Sequence, residues 1–399
     1  MSNARGLVIT GLGLVLPQGV GLASAEAVFR GRSAVVRLPD FPELPDATGA
    51  PVERFVPPAG TEESDRAVQF ALAAADEAWA ASGLAHGAIP PDRIATVVSL
   101  SKGGVLAMAE ACLRREGLAT LLDRASPAAA ARAVAERLGA AGPVAAPVTA
   151  CASGGHALAW AATLIDRGVV DAAIVGAAEA SIHPLMLGSY RRMGVLAPPG
   201  DDPAASVRPF SATRGGFAIG EGAGMIVLEA EASADRRGAT PLARLRGWAC
   251  GAHASSLTDM EAGGASLARL IAEALRRSGT SPAEIDYVHA HGTATRRNDA
   301  AEAEAIRRAL GEAADAVSVS STKGAHGHLL GAATAAELVL TVLAIQRQTV
   351  PPTANLTDPD PDIRLDCTPQ VARRRPVGVA LKIASGFGGQ MAAIVLARP

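Results

Sequence analysis

The chain has 399 residues, enough for about two to three average domains or two large halves around one core, and far more than a miniature disulfide-stapled scaffold needs. Lys+Arg total 37 against Asp+Glu 39, a formal net charge of −2, and 49% of residues are hydrophobic, which excludes a disordered acidic chain and a general nucleic-acid binder. Aromatic residues at 3% leave few faces on which bases could stack, so partners must be recognised locally.

At the N-terminus Arg5 precedes the apolar run 6–17, and the small residues Ala23, Ser24 and Ala25 follow, in imitation of a secretion signal. Gly6, Gly11 and Gly13 interrupt that run, so Leu7-Val8-Ile9 reads as a first buried strand ending in a Gly11-Leu12-Gly13 turn. No stretch approaches the roughly 18 uninterrupted apolar residues of a membrane span. Cys112, Cys151, Cys250 and Cys367 lie far apart with no CxxC pair. A soluble, cytoplasmic protein with reduced thiols is expected. Residues 38–60, with Pro39, Pro42, Pro45, Pro51, Pro57 and Pro58, predict an irregular surface excursion, and 198–209 a second proline-rich loop.

Cys151 stands in Val148-Thr149-Ala150-Cys151-Ala152-Ser153-Gly154-Gly155, just before a helix-like run over 156–166. A cysteine at a strand-to-helix turn has its sulfur near unpaired N–H groups, where the helix dipole favours thiolate. A nucleophile and a small buried hydrophobe both fit that position. Further on, Leu267, Leu270, Ile271, Ala274 and Leu275 fall on one helical stripe, Gly279 gives a stop, Ser281-Pro282 starts another turn, and 285–288 reads as a strand. That strand opens the loop His289-Ala290-His291-Gly292-Thr293-Ala294-Thr295, at the sheet edge where α/β proteins bind ligands. A second histidine loop, Lys323-Gly324-Ala325-His326-Gly327-His328, leads into an apolar helix running to about Gln346. Two HxH pairs without an associated acidic ligand are a weak metal signal, and no metal is expected.

Apolar runs bounded by glycine alternate with Ala-rich helical segments, which predicts an α/β fold. The segment 6–14 echoes 243–251, and 220–230 echoes 386–397. Two related halves, 1–240 and 241–399, account for this; so does coincidence between glycine-then-apolar segments.

Cys151 in TACASG, His291 in HGTAT and His328 in KGAHGHLLGAA, in that order, resemble the Cys-His-His set of the β-ketoacyl-acyl-carrier-protein synthases of the thiolase superfamily, in a KAS II-like form. The resemblance runs from VITGLGLVLPQG through RPFSATRGGFAIGEGAGMIVLE and PPTANLTDPDPDIRLD to GFGG. It implies a thiolase-like five-layered αβαβα fold from two similar halves, a homodimer or a heterodimer with a related synthase-like subunit, and acyl carrier protein as partner, with neither nucleic acid nor membrane. The implied reaction is decarboxylative Claisen condensation of an acyl-enzyme thioester with malonyl-acyl-carrier protein. The substrates ride on the carrier's phosphopantetheine, so no cofactor is expected. Cys151 would carry the acyl chain, His291 and His328 would stabilise the enolate, and Lys323 and Glu337 would orient the histidine loop. Phe387 would gate the acyl pocket, its N–H and that of Cys151 would serve the acyl oxygen, and flanking Gly386 and Gly388 would let the turn move. Thr293 and Thr295 would bind pantetheine, or cap their loop.

The sequence departs from the family at several points. Ile383-Ala384-Ser385-Gly386-Phe387-Gly388-Gly389-Gln390-Met391 replaces the usual Asn-Ser-Phe-Gly-Phe-Gly-Gly-x-Asn, so Ser385 and Met391 stand where an aromatic and an asparagine are usual. His326 occupies a threonine position, where it adjusts pocket polarity or bonds within its loop. Lys102 lies in an altered glycine loop, where it favours a polar or acidic acyl group or faces solvent, and the region up to Pro127 is shortened. Arg214-Gly215-Gly216-Phe217 alters a further family segment. These departures favour polyketide or other secondary metabolism over housekeeping fatty-acid synthesis. A non-elongating acyltransferase and a chain-length-determining partner subunit remain alternatives.

Overall fold

The glycines near the N-terminus do not end the first strand. In the computed structural model, which describes residues 5–38, 41, 44, 46–84, 87–114, 117, 121, 124–198 and 200–399, strand β1 runs through them over Leu7–Leu16. Helix α1 (Arg66–Ser82) lies directly on this strand: a Cβ at Gly11 would stand 2.1 Å from the Ala78 carbonyl oxygen, and one at Gly13 1.8 Å from that of Ala74. The glycines therefore mark a close approach, not a turn. Asp65 begins α1 by accepting the Ala67 N–H at 2.8 Å, and Gly83 ends it in the left-handed region. Gly13→Ala would set a methyl against helix backbone that cannot step aside. It is expected to cost about 3 kcal/mol, read as a lower denaturant midpoint at unchanged slope.

Nine further strands complete the main sheet: β2 (Ile94–Leu100), β3 (Val144–Ala145), β4 (Ala172–Glu179), β5 (Gly222–Ala230), β6 (Ala243–Ala252), β7 (Tyr287–His289), β8 (Ser318–Ser320), β9 (Val379–Ser385) and β10 (Gln390–Ala397). Their order is β8-β7-β9-β10-β6-β1-β5-β4-β2-β3, with Gly19–Val20 folded back on β1. Reading outward from the centre, β6-β10-β9-β7-β8 and β1-β5-β4-β2-β3 repeat one pattern: two antiparallel steps, then two parallel ones. The two five-stranded units touch through only three antiparallel pairs between β1 and β6. Even the bulge repeats, between Ile9 and Gly11 on β1 and between Leu245 and Gly247 on β6. The repeat is thus related halves, with Gly11 matching Gly247, one residue off the register in which 6–14 and 243–251 echo.

Three helical layers enclose these two units. Helices α1 and α2 (Ala129–Leu138) cover the outside of the first; α3 (Ser153–Asp166) and α6 (Ala333–Arg347) fill the middle; α4 (Ala265–Ser278) and α5 (Arg296–Leu310) cover the second. The result is the five-layered αβαβα arrangement. The predicted stripe of α4 is buried throughout, Gly279 caps it, and Ser281 with Glu284 forms a capping box. One segment, 330–347, is long and apolar enough to cross a membrane by length and composition, although Glu337 and Arg347 interrupt its apolar run. It contains the helix α6 between the two five-stranded units, where apolar residues all around are what a doubly covered element needs.

The excursion at 38–60 is only partly irregular. Pro39, Pro42 and Pro45 lie outside the described residues, but Thr48–Ala50 is a buried strand pairing with Val36–Arg37 and Ile219–Gly220. Among its described residues, the loop 198–209 holds one short 3-10 turn, Pro203–Ala205.

Candidate active site

Each half delivers its chemistry at the same structural place. After β3 the chain passes a non-glycine residue of positive φ, Ala150 at 49°, makes the 3-10 turn Ala150–Ala152, and enters α3. Beyond β8, Leu330 at φ 48° opens the 3-10 turn Leu330–Ala332 and then α6. Cys151 sits in the first turn, and His328 immediately before the second. The two helices begin against each other: a Cβ at Gly154 would stand 2.5 Å from Ala335 N, and Thr334 Oγ1 donates to the Cys151 carbonyl at 2.6 Å. Small residues here bring the cysteine turn and the histidine loop together.

Cys151, His291, His328, Thr293, Thr295 and Phe387 line one cavity of about 510 Å³, with Gly386 beside them. Gly388 lies outside the lining, on the exposed side of the same turn. The glycines of that turn have separate duties. Gly386 packs where a Cβ would meet Cys151 N at 3.0 Å, whereas Gly388 and Gly389 take φ of 76° and 74°. Thr293 and Thr295 share an Oγ1–Oγ1 hydrogen bond of 3.0 Å, and Thr295, at the N-terminus of α5, makes no side-chain cap. The Thr295 hydroxyl thus does not cap α5, and both hydroxyls face the cavity lining as a bonded pair.

The two cavity histidines, His291 and His328, are held neutral. Burial, reinforced by the Lys323 ammonium, keeps both His291 and His328 well below the usual imidazole range. Leu330 N–H donates to His328 Nδ1 at 3.3 Å, which leaves the ring proton on Nε2. The rings of His291 and His328 meet edge to face with centroids 5.4 Å apart, and Phe217 sets its edge against His328 at 4.8 Å. Of the two HxH pairs, only these members reach the cavity. His289 bonds Thr341 and Thr322, while His326 bonds Thr322 and the Gly327 carbonyl, all at 2.8–3.0 Å. Their ring nitrogens are committed to the core, and His326 serves its own loop.

Cys151 contradicts the expectation of a dipole-favoured thiolate. Burial pushes its thiol up to about 11, against the pull of Lys102 first and Lys323 second. Desolvation outweighs both ammoniums in the resting cavity. Lys102 is held within the protein, donating to Ser101 Oγ at 2.8 Å and to the buried Glu179 carboxylate at 3.1 Å. Glu179 also accepts from Gly331 N at 3.1 Å, tying β4 to the turn that opens α6. The shortened region before Pro127 lies partly outside the described residues.

Lys323 and Glu337 sit behind the cavity, both fully buried, as an ion pair of 2.5 Å. Lys323 Nζ also donates to the His291 carbonyl at 2.5 Å. Glu302 and Lys382 escape a reading of the sequence, and Arg214 enters it only as part of an altered segment. Glu302, on α5, accepts the N–H groups of His291 at 2.5 Å and Gly292 at 2.7 Å, and burial pushes its carboxyl up to about 7. Lys382, fully buried on β9, stands 2.7 Å from Glu337 Oε2. Arg214 is buried too, donating to Asp360 at 2.5 Å and to the Ser211 carbonyl at 2.8 Å. Tyr190, stacked on Phe387 at 6.2 Å, lines the same cavity and was also overlooked. A lone charged residue inside an apolar run, as in Leu381-Lys382-Ile383, was the available signal.

Family models for the N-terminal and C-terminal domains of β-ketoacyl synthases match residues 4–234 and 242–357. The ketoacyl synthase alpha subunit of the tetracenomycin polyketide synthase of Streptomyces glaucescens is 36% identical over 416 residues, covering 98% of this chain and 97% of its own. Among solved structures, a type II polyketide ketosynthase described in complex with its acyl-carrier protein and bound to the hexaketide superposes with TM-score 0.92 at 33% identity, covering 100% of both chains. The ishigamide ketosynthase/chain length factor superposes with TM-score 0.90 at 30% identity, covering 99% of this chain and 100% of its own.

Proposed function

Because the chain belongs to the β-ketoacyl synthase family, we propose that it elongates polyketide chains carried on acyl carrier protein, with Cys151 as the acyl carrier. The observation that carries this reading is the meeting of Cys151, His291 and His328 in one cavity, with both imidazoles neutral. The Cys151 sulfur, as thiolate, attacks the carbonyl of an acyl-pantetheine thioester. The pantetheine thiol leaves, and the acyl group stays on the sulfur. Malonyl thioester then enters and loses carbon dioxide, and its thioester oxygen gains negative charge. Two neutral N–H donors suit that oxygen, since they stabilise charge as it develops without an ion to desolvate. The enolate carbon attacks the acyl-Cys151 carbonyl, whose oxygen is served by the N–H groups of Cys151 and Phe387. Cys151 leaves, and the carrier holds a chain two carbons longer.

In this reading Thr293 and Thr295 bind the pantetheine arm, Phe387 gates the acyl pocket beside Tyr190, and no cofactor is needed beyond the carrier's own phosphopantetheine. The chain works in the cytoplasm, as one subunit of a dimer with a second synthase-like chain. The relative described as a ketosynthase/chain length factor supports the heterodimeric form of that partnership.

The test is intact-mass analysis of carrier proteins after incubation with a panel of acyl and malonyl carriers, with and without a co-expressed synthase-like subunit. Conversion of malonyl carrier to a β-ketoacyl carrier is expected. Acyl loading with untouched malonyl carrier identifies a non-elongating acyltransferase instead, and no loading at all identifies a chain-length partner.

A further inference from the structure

We propose that Lys382 is a positioning residue for the decarboxylation step, its ammonium fixing the carbonyl edge of the 289–291 segment and so aiming the His291 imidazole. The proposal rests on the ketosynthase reading above. Strand β9 is buried along its whole length, and an ammonium placed there is costly unless it is paired and hydrogen-bonded. Lys382 Nζ meets that requirement on the histidine segment itself. It donates to the carbonyls of Ile383 at 2.6 Å, Ala290 at 3.2 Å and His289 at 3.4 Å, and faces Glu337 Oε2 at 2.7 Å.

Lys323 takes the next carbonyl, that of His291. Three successive carbonyls therefore point at two ammoniums bridged by one carboxylate. On the opposite edge Glu302 takes the N–H groups of His291 and Gly292. The segment is gripped by buried charge along both edges, and the ring it carries has little freedom to leave the developing enolate oxygen.

The groups facing Lys382 set the pH at which this grip fails. Glu337 approaches from α6, Lys323 and His326 from the short helix Lys323–His326, Glu302 from α5, and His289 and His291 from β7 and its loop. Burial lowers the ammonium to about 8 although Glu337 opposes it. Lys382 is thus charged below that pH and neutral above it. Its hold on the carbonyls is present at neutral pH and lost as pH rises.

The experiment measures carbon dioxide release from malonyl carrier protein, without acyl primer, from about pH 6 to about pH 10. Acyl loading of Cys151 and thermal unfolding are followed in the same preparations of the parent, Lys382→Met and Lys382→Arg. The parent rate is expected to fall as pH passes about 8. Arg, always charged, should carry the rate to higher pH. Met should release carbon dioxide about 10- to 100-fold more slowly at neutral pH, with no alkaline limb and with acyl loading retained. A parent rate that stays flat across the range overturns the proposal without any variant. So does a Met variant with parental decarboxylation, or one in which loading, decarboxylation and unfolding temperature all fall together. A parent that loads Cys151 yet releases no carbon dioxide overturns the ketosynthase reading itself, and does so before any substitution is made.

Discussion

Cys151→Ala is expected to take up no acyl group from acyl carrier protein and to form no condensation product, while its decarboxylation of malonyl carrier continues. Attack on a thioester needs a sulfur anion within the cavity, and no other cysteine lines it: Cys112 and Cys250 are exposed elsewhere, and Cys367 is buried in the C-terminal half. Loading is therefore all or none at position 151. Its rate should also carry the signature of a buried thiol. Because burial raises the thiol to about 11, thiolate is scarce at neutral pH and grows about tenfold per pH unit until that value is reached. Single-turnover loading of the parent should rise accordingly unless carrier docking limits it. Alkylation by a small neutral reagent, which needs no docking, separates the two. Peptide mapping locates the adduct, and an acyl group found at position 151 only at background level, with the load on Cys112 or Cys250, would refute the assignment.

Much of this site was legible before the structure because its chemistry is local in sequence. A cysteine before a glycine-rich helix start, and two histidines in glycine loops, each announce a turn at a sheet edge. The order of the three motifs names the family. What was not legible depends on packing between elements distant in sequence. Gly11 and Gly13 look like a turn because a single sequence cannot say that a helix backbone lies where their side chains would be. The thiolate expectation at Cys151 came from the helix end alone and omitted the depth of the cavity. Glu302 and Lys382 are separated in sequence from the loop they hold, and each is one charged residue in an ordinary helix or strand. Only the meeting of α5, α6, β7 and β9 reveals that their charges converge.

His328→Ala and His291→Ala are each expected to slow carbon dioxide release from malonyl carrier protein by about 10²- to 10³-fold, the usual cost of one donor to a developing oxyanion, while Cys151 still loads. The two variants should differ in a way the surroundings dictate. His328 is fixed by the Leu330 N–H and the edge-to-face contact with Phe217, so its loss also frees an amide in the 3-10 turn that leads into α6, and some stability should go with the activity. His291 Nδ1 is buried without a partner, so removing that ring strands no donor and the fold should hold. Removing both rings should cost less than the product of the single losses, because the remaining donor is worth less once the pair no longer encloses the oxygen. The pH dependence follows with a definite sign. Both rings titrate well below the usual imidazole range, so each is a neutral donor throughout the region where a free histidine would gain its proton. The rings therefore bring no pH dependence between about pH 6 and about pH 7.5, where ordinary histidines titrate, and any change in decarboxylation there should come from the Glu302 carboxyl, pushed up to about 7, and vanish in Glu302→Gln. An acid limb near the ordinary histidine value that persists in Glu302→Gln would mean that the rings are solvated in the working enzyme, and a neutral pair could not then be what stabilises the enolate.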